Sequence, residues 1–343
     1  MVTLEQNELV FSFPELHPSA VCRVRFQRTL RIPDDNRSYP LPPGLGTFPL
    51  EPVEPHAERL PAAWATHGGV LLPMYQAEAL WLSFSSESSS WEQPRYPFAL
   101  QIAAGKINAV TGQAWASASP TAPSTPQDYV VLPDQPWLDG FCVQKGLIRQ
   151  FVAMPLGQGY SAEEQLTGAG EHGGLQLIAY PMKRERYEAL CQQAERWASD
   201  LDGLVLAAPC SEAPSMGLAP GGLMRQEITE DAYGLDAWDT TRPLRCFVHI
   251  LNSQQWHGAT GQPVPTKPVS AQDYTRAGLP WFEHYGDGTP ALDGSAALAS
   301  LDSVAAKTIK LGLPPLPGNE PVTPQNVLPL GPGAGQPVSD GNW

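Results

Sequence analysis

Some 37 prolines and 31 glycines are spread along 343 residues, and they interrupt nearly every apolar run before it reaches helical length. Proline lacks the N–H that a helix interior needs, and glycine loses the most chain entropy there. The punctuation therefore selects short strands and ordered loops over long helices. An apolar share of 42% is ample for a core, while a charged share of 16% is too low for a self-solvating disordered chain. The expected class is α+β, mainly antiparallel β with a few short helices and a proline-rich C-terminal tail. Composition divides it into a mainly-β body over residues 1–310, as one sheet system or two fused sheets, and a Pro/Gly-rich tail over 311–343.

The formal charge is −14, and the 21 lysines and arginines are scattered, which leaves no electrostatic footprint for a phosphate backbone. Nucleic acid is excluded as a partner on that ground. Membrane insertion is not expected either: the apolar stretch from Val70 to Phe84 contains Gln76 and Glu78, and the one from Leu298 to Leu313 contains Asp302, Lys307 and Lys310. Glu5 and Glu8 stand where a secretory signal would carry basic and then apolar residues, so the expected location is cytoplasmic. Cys22, Cys142, Cys191, Cys210 and Cys246 are widely spaced with no C-x-x-C pair, and they read as reduced thiols.

Periodicity places the elements. Cys22 to Ile32 alternates Val24, Phe26 and Thr29 against arginines, with turn chemistry at Pro33-Asp34-Asp35-Asn36, and predicts a hairpin. Strands are expected within Gly69–Phe84, Tyr96–Val110, Tyr129–Leu132, Leu147–Met154, Leu175–Tyr180 and Arg245–Leu251. Ser161 with Glu164 forms an S-x-x-E capping box for a helix ended by Gly168, and Ser270 with Asp273 caps a second, ended by Pro280. Tyr187, Leu190, Cys191, Ala194, Trp197, Ala198 and Leu201 line one face of a helix from about Lys183 to Gly203, and Leu298–Lys310 reads as a last helix.

Several blocks are familiar as wholes: FQRTLRIPDD at Phe26, YPLPPGLG at Tyr39, GGVLLPMYQAEALWLSF at Gly68, QKGLIRQFVAMPLGQGYSAEEQLTG at Gln144 and YTRAGLPWFEHY at Tyr274. Over about Val21 to Tyr285 the chain resembles a family of bacterial and fungal proteins with no assigned activity. The resemblance implies no catalytic residue, so the chemistry has to come from the residues.

Gly157, Gly159 and Ser161 sit in a G-x-G-x-x-A run after a strand and at a helix start, where backbone N–H groups could cradle a phosphate. The expected helix is two turns long and the following strand lacks a ribose-binding acid, which makes a tight turn the plainer reading. Cys142, His172 and Glu171 could combine as thiol, base and orienter, yet Cys142 lies in the apolar frame Phe141–Val143. His249, His257, His284 and Glu283 lack ligand spacing, and Asp231, Asp236, Asp239, Asp287 and Asp293 lack the order of a calcium loop. Glu163 and Glu164, being adjacent on a helix, point about 100° apart and do not share a site. No metal or cofactor is called for. Ten tryptophans need a large core or an interface. The expectation is a non-enzymatic structural or protein-interaction protein whose tail, with Leu328, Leu330 and Trp343, docks on its own body or on a neighbouring copy, the second case making it self-associating. The alternative is a small-molecule binder or enzyme using the Gly157–Ser161 turn.

Overall fold

In chain order the main strands of the computed structural model, a short one at Gly44–Thr47 aside, are β1 (Val2–Glu5), β2 (Glu8–Ser12), β3 (Val21–Thr29), β4 (Val70–Pro73), β5 (Ala79–Ser86), β6 (Phe98–Ala104) and β7 (Val130–Leu132). They continue as β8 (Gly140–Gln144), β9 (Leu147–Met154), β10 (Leu175–Pro181), β11 (Ser215–Arg225), β12 (Leu244–Leu251), β13 (Trp281–His284) and β14 (Val327–Leu330). The structure describes residues 1–90, 93–115, 122–197, 215–263, 265–284 and 290–330. Cys210, Asp287 and Trp343 lie outside them.

One layer runs β1-β2-β3-β5-β9-β11, every neighbour antiparallel. The other runs β7-β6-β10-β12, also antiparallel, with β4 added parallel to β12. β11 joins them, since Ser215 and Met216 pair with β12 before the strand turns to β9. A single main apolar core collects Phe11, Val24 and Phe26 from the first layer and Phe98, Leu100 and Leu177 from the second. Val322, twelve residues past the compositional boundary at 310, belongs to the same core.

Local chemistry accounts for the strands. In β3, Val24 and Phe26 are fully buried, while Arg23 and Arg25 face the acids of neighbouring strands. Arg23 lies 3.0 Å from Glu5 and 2.8 Å from Glu87, and Arg25 pairs with Glu8. β6 and β10 are buried at every residue, and both read as near-continuous apolar runs, as strands covered on two faces do.

The strand expected over Cys22–Ile32 is β3, Val21–Thr29. After the turn residues Pro33–Asn36 the chain does return antiparallel, but only over Gly44–Thr47 against Gln27 and Thr29, and the longer partners of β3 are β2 and β5. A tighter hairpin lies earlier, where Gln6 and Asn7 both adopt positive φ and close the two-residue turn between β1 and β2. Two expectations need correction. Leu298–Lys310 is two short helices, α6 (Ala296–Ala299) and α7 (Val304–Lys310), because Ser295 and Ser303 each accept a hydrogen bond from a backbone N–H and start a helix. The polar stretch after β12 is also helical, over α4 (Ser253–Thr260), capped by Asn252 and burying Trp256 and Ala259.

The remaining helices are α1 (Ala62–His67), α2 (Ala162–Thr167), α3 (Arg184–Trp197) and α5 (Ala271–Arg276). The caps expected at Ser161 and Ser270 are both made. α3 turns Tyr187 and Cys191 inward as its periodicity requires. Among the described residues, no helix is long and apolar enough to cross a membrane.

Candidate functional site

Gly157 and Gly159 do form the strand-to-helix turn, with φ of 85° and 74°. Their N–H groups point inward as a phosphate would require, but a protein carboxylate already receives them. Glu164 Oε1 accepts from Gly157 N at 2.7 Å and from Gly159 N at 2.8 Å, and Oε2 accepts from Ser161 N at 3.1 Å and Ser161 Oγ at 2.7 Å. Although desolvation acts the other way, these bonds hold the Glu164 carboxyl below the usual range. The neighbouring Glu163 does the same on the other side, accepting from the N–H groups of Glu171, His172 and Gly173. Two adjacent carboxylates thus close two backbone nests, and neither is placed for acid-base work.

Glu164→Ala is expected to cost about 1–2 kcal/mol, as loss of a cap and its multiple acceptors does. The sign with pH follows from the depressed pKa. Glu164's contribution is present above the unfolded carboxylate pKa and is lost as pH falls through the folded one. Urea unfolding of wild type and variant at neutral and acid pH should therefore converge at the acid end.

The thiols Cys22, Cys142, Cys191 and Cys246 are free and buried. Burial alone pushes Cys142 up to about 11, and burial with the charge of Glu54 pushes Cys246 up to about 12. His172 does not act on Cys142. Native alkylation of both should be slow by comparison with the urea-unfolded chain, and mass spectrometry reads the difference. The imidazoles have separate partners: His249 Nε2 donates to Gly68 O at 3.0 Å and stacks on Trp64, His257 Nδ1 meets Gln262 O, and His284 packs edge-on to Trp137. Asp231 accepts from Tyr129 Oη, Trp238 Nε1 and Tyr233 N. Among the described residues no group of three or more His, Cys, Asp or Glu is placed to hold a metal.

The tail, as far as Leu330, lies on its own body. Leu316 packs on the cluster of Ala79, Val152 and Val304, Asp34 N donates to Asn319 Oδ1 at 2.8 Å, and Arg31 donates to Pro317 O. β14 then pairs parallel with β13. Trp281 N donates to Asn326 O at 2.8 Å, which fixes the ladder phase: the backbone groups of Leu328 and Leu330 turn to β13, and those of Val327 and Pro329 turn outward. Pro329 removes a donor from that outer edge, a common way of blunting a strand against further pairing. The side chains of Leu328 and Leu330 are exposed, and Leu330 forms part of a groove.

That groove, of about 220 Å³, adjoins a larger cleft of about 540 Å³, and Leu41, Trp137 and Phe282 line both. Three walls make the cleft: Pro133–Trp137, Arg225–Glu227 and β13, with Pro40 and Leu41 beside β13. Leu41 and Phe282 exchange backbone bonds at 2.7 and 2.9 Å.

Two buried glutamines fix the first wall to the second. Gln135 Nε2 donates to Trp137 O at 2.9 Å, and its Oε1 accepts from Thr229 N at 2.9 Å. Gln226 Nε2 donates to Asp139 Oδ2 at 2.9 Å, while its Oε1 accepts from Asp139 N at 3.0 Å. A primary amide carries both donor and acceptor, so each braces two segments some ninety residues apart as a strand pairing would.

Charge at the cleft is mostly negative. Asp134, Glu227 and Glu283 line it against Arg225, which lies 3.5 Å from Glu283. Asp139, 4% exposed, lines the groove; burial raises its carboxyl to about 7 against the hydrogen bonds from Trp137 and Gln226. Asp134 stands open at the mouth, yet desolvation by the surrounding protein still holds its carboxyl above the usual range. The sequence marks Trp137 only as one of ten tryptophans, and no spacing joins it to Asp139, Gln226 or Phe282. Comparison with known protein families, curated proteins and solved structures returns no match to this chain.

Proposed function

We propose that this chain is a binding protein that holds a small ligand in the cleft between Trp137 and β13. The observation that supports it is the cleft itself: about 540 Å³, lined by prolines, Trp137 and Phe282 with a few convergent charged groups, the composition and size usual for small-molecule sites. The two glutamines of its walls are engaged in holding those walls together, which makes the cleft a braced cavity suited to binding. The Gly157–Ser161 turn has less support, because Glu164 takes the amides a phosphate would use.

Self-association through the tail also has less support. Up to Leu330 the tail contacts its own body, and Pro329 blunts the outer edge of β14. The molecular mass of the full chain against one ending after Leu330 reads that possibility separately. A cytoplasmic location belongs to the same proposal, supported by four free buried thiols.

Native mass spectrometry after incubation with a mixed small-metabolite extract tests the cleft. The wild type should retain a stoichiometric adduct that Trp137→Ala loses. An adduct retained equally by both would place the site elsewhere.

A further inference from the structure

The cleft and its adjoining groove differ in character. Pro42, Pro43, Trp81, Trp137, Phe282 and Leu330 surround the groove, so it offers rings and aliphatic surface. The cleft itself is lined by three carboxylates, Asp134, Glu227 and Glu283, with the guanidinium of Arg225 and the imidazole of His284. Arg225 is paired with Glu283 at 3.5 Å, which leaves Asp134 and Glu227 as the carboxylates of the cleft without that guanidinium at salt-bridge distance. Both cavities are lined by Trp137 and Phe282, whose ring faces attract a cation.

Resting on the cleft reading above, we infer that the ligand is a small molecule joining an apolar, ring-sized body to a cationic amine or guanidinium group. An anion of the same shape would meet three carboxylates in the cleft. A neutral ligand would gain from the groove and nothing from the acids. Two further observations agree. Asp139, beside the groove, is buried with amide and indole partners, while Asp134, exposed at the cleft, has a hydrogen bond from Tyr233 and the like charge of Asp231 near it; neither has a cation among the groups acting on it. Carboxyls raised by burial are the ones that gain most when a cation arrives. The whole chain, at −14, also draws cations toward it in solution.

Three isosteres separate the charge from the body: phenethylamine, phenethyl alcohol and hydrocinnamate. Titration of tryptophan emission, with thermal unfolding as a second readout, gives their relative affinities for the full chain. Phenethylamine should bind at least about tenfold more tightly than hydrocinnamate, a modest demand on a Coulomb contact at a protein surface. Glu227→Gln and Asp134→Asn, both at exposed positions, should each weaken phenethylamine severalfold and leave phenethyl alcohol unchanged. If phenethyl alcohol or hydrocinnamate binds as tightly as phenethylamine, and Trp137→Ala abolishes it, the cleft is right and the cationic class is wrong. If none of the three binds, the cationic inference fails; if in addition no metabolite adduct depends on Trp137, the cleft reading fails with it.

Discussion

Arg28→Met is expected to destabilise the fold by about 3–5 kcal/mol, because it strands a carboxylate in the core. Arg28 on β3 lies 2.6 Å from Glu78, and their side chains are 6% and 0% exposed. Glu78 Oε2 also accepts from Tyr75 N at 2.8 Å, and Arg28 donates to Thr266 O at 2.8 Å. Burial pushes the Glu78 carboxyl up to about 7, with Arg28 the largest influence in the other direction.

The pH dependence carries the opposite sign from Glu164. A carboxyl whose folded pKa is raised binds its proton more readily in the folded chain, so stability is gained as pH falls from above the folded pKa toward the unfolded one. Removing Arg28 raises Glu78 further and enlarges that gain. Urea unfolding of Arg28→Met should therefore show a midpoint that climbs between about pH 8 and about pH 5.5 more steeply than the wild type's. The double variant Arg28→Met/Glu78→Gln should recover more than half of the loss. A flat pH response with a loss under about 1 kcal/mol would show that the pair is neither buried nor coupled as described.

Ending the chain at Lys310 is expected to cost a further large amount, about 3–5 kcal/mol relative to a chain ending after Leu330. Val322 is 7% exposed within the main core, and full burial of such a side chain contributes about 1.5–3 kcal/mol. Leu316 adds contacts with Val152 and Val304, and β14 covers β13. Proline reduces the freedom that this segment has when undocked, so laying it down costs less entropy than ordering a glycine-serine chain. Thermal and urea unfolding of the two truncations make the comparison. Equal midpoints would mean that residues 311–330 contribute nothing to the body.

How far the sequence reaches depends on the range of the interaction. LIRQFVAM and LQLIAY are legible as β9 and β10 because their apolar, branched and aromatic residues fill both faces of a covered strand. The caps at Ser161 and Ser270 are legible because a cap is made within three residues. β11 was hidden: SMGLAPGGLMR carries Pro220, Gly221 and Gly222, which ordinarily argue against a strand. Its pairing shows the reason. The ladder slips between Arg149 and Phe151, and a side chain on Gly221 would meet Val152 while one on Gly222 would meet the carbonyl of Pro33.

The short reach of the hairpin after β3 has a similar cause. Pro33–Asn36 does precede an antiparallel return, Gly44–Thr47, but that return pairs only at Gln27 and Thr29, and β3 finds its long second partner in β5, some fifty residues on. The cleft is the least legible part, because residues near 40, 135, 226, 282 and 290 meet only in the fold and glutamine braces have no periodicity.

Crystals of the protein soaked with a set of small aromatic fragments, amines included, test the cleft as the binding site most directly. Fragment density should gather between Trp137 and Phe282, with amine groups toward Asp134 and Glu227. Fragments that leave the cleft empty and collect elsewhere, at the Gly157–Ser161 turn for example, would contradict it.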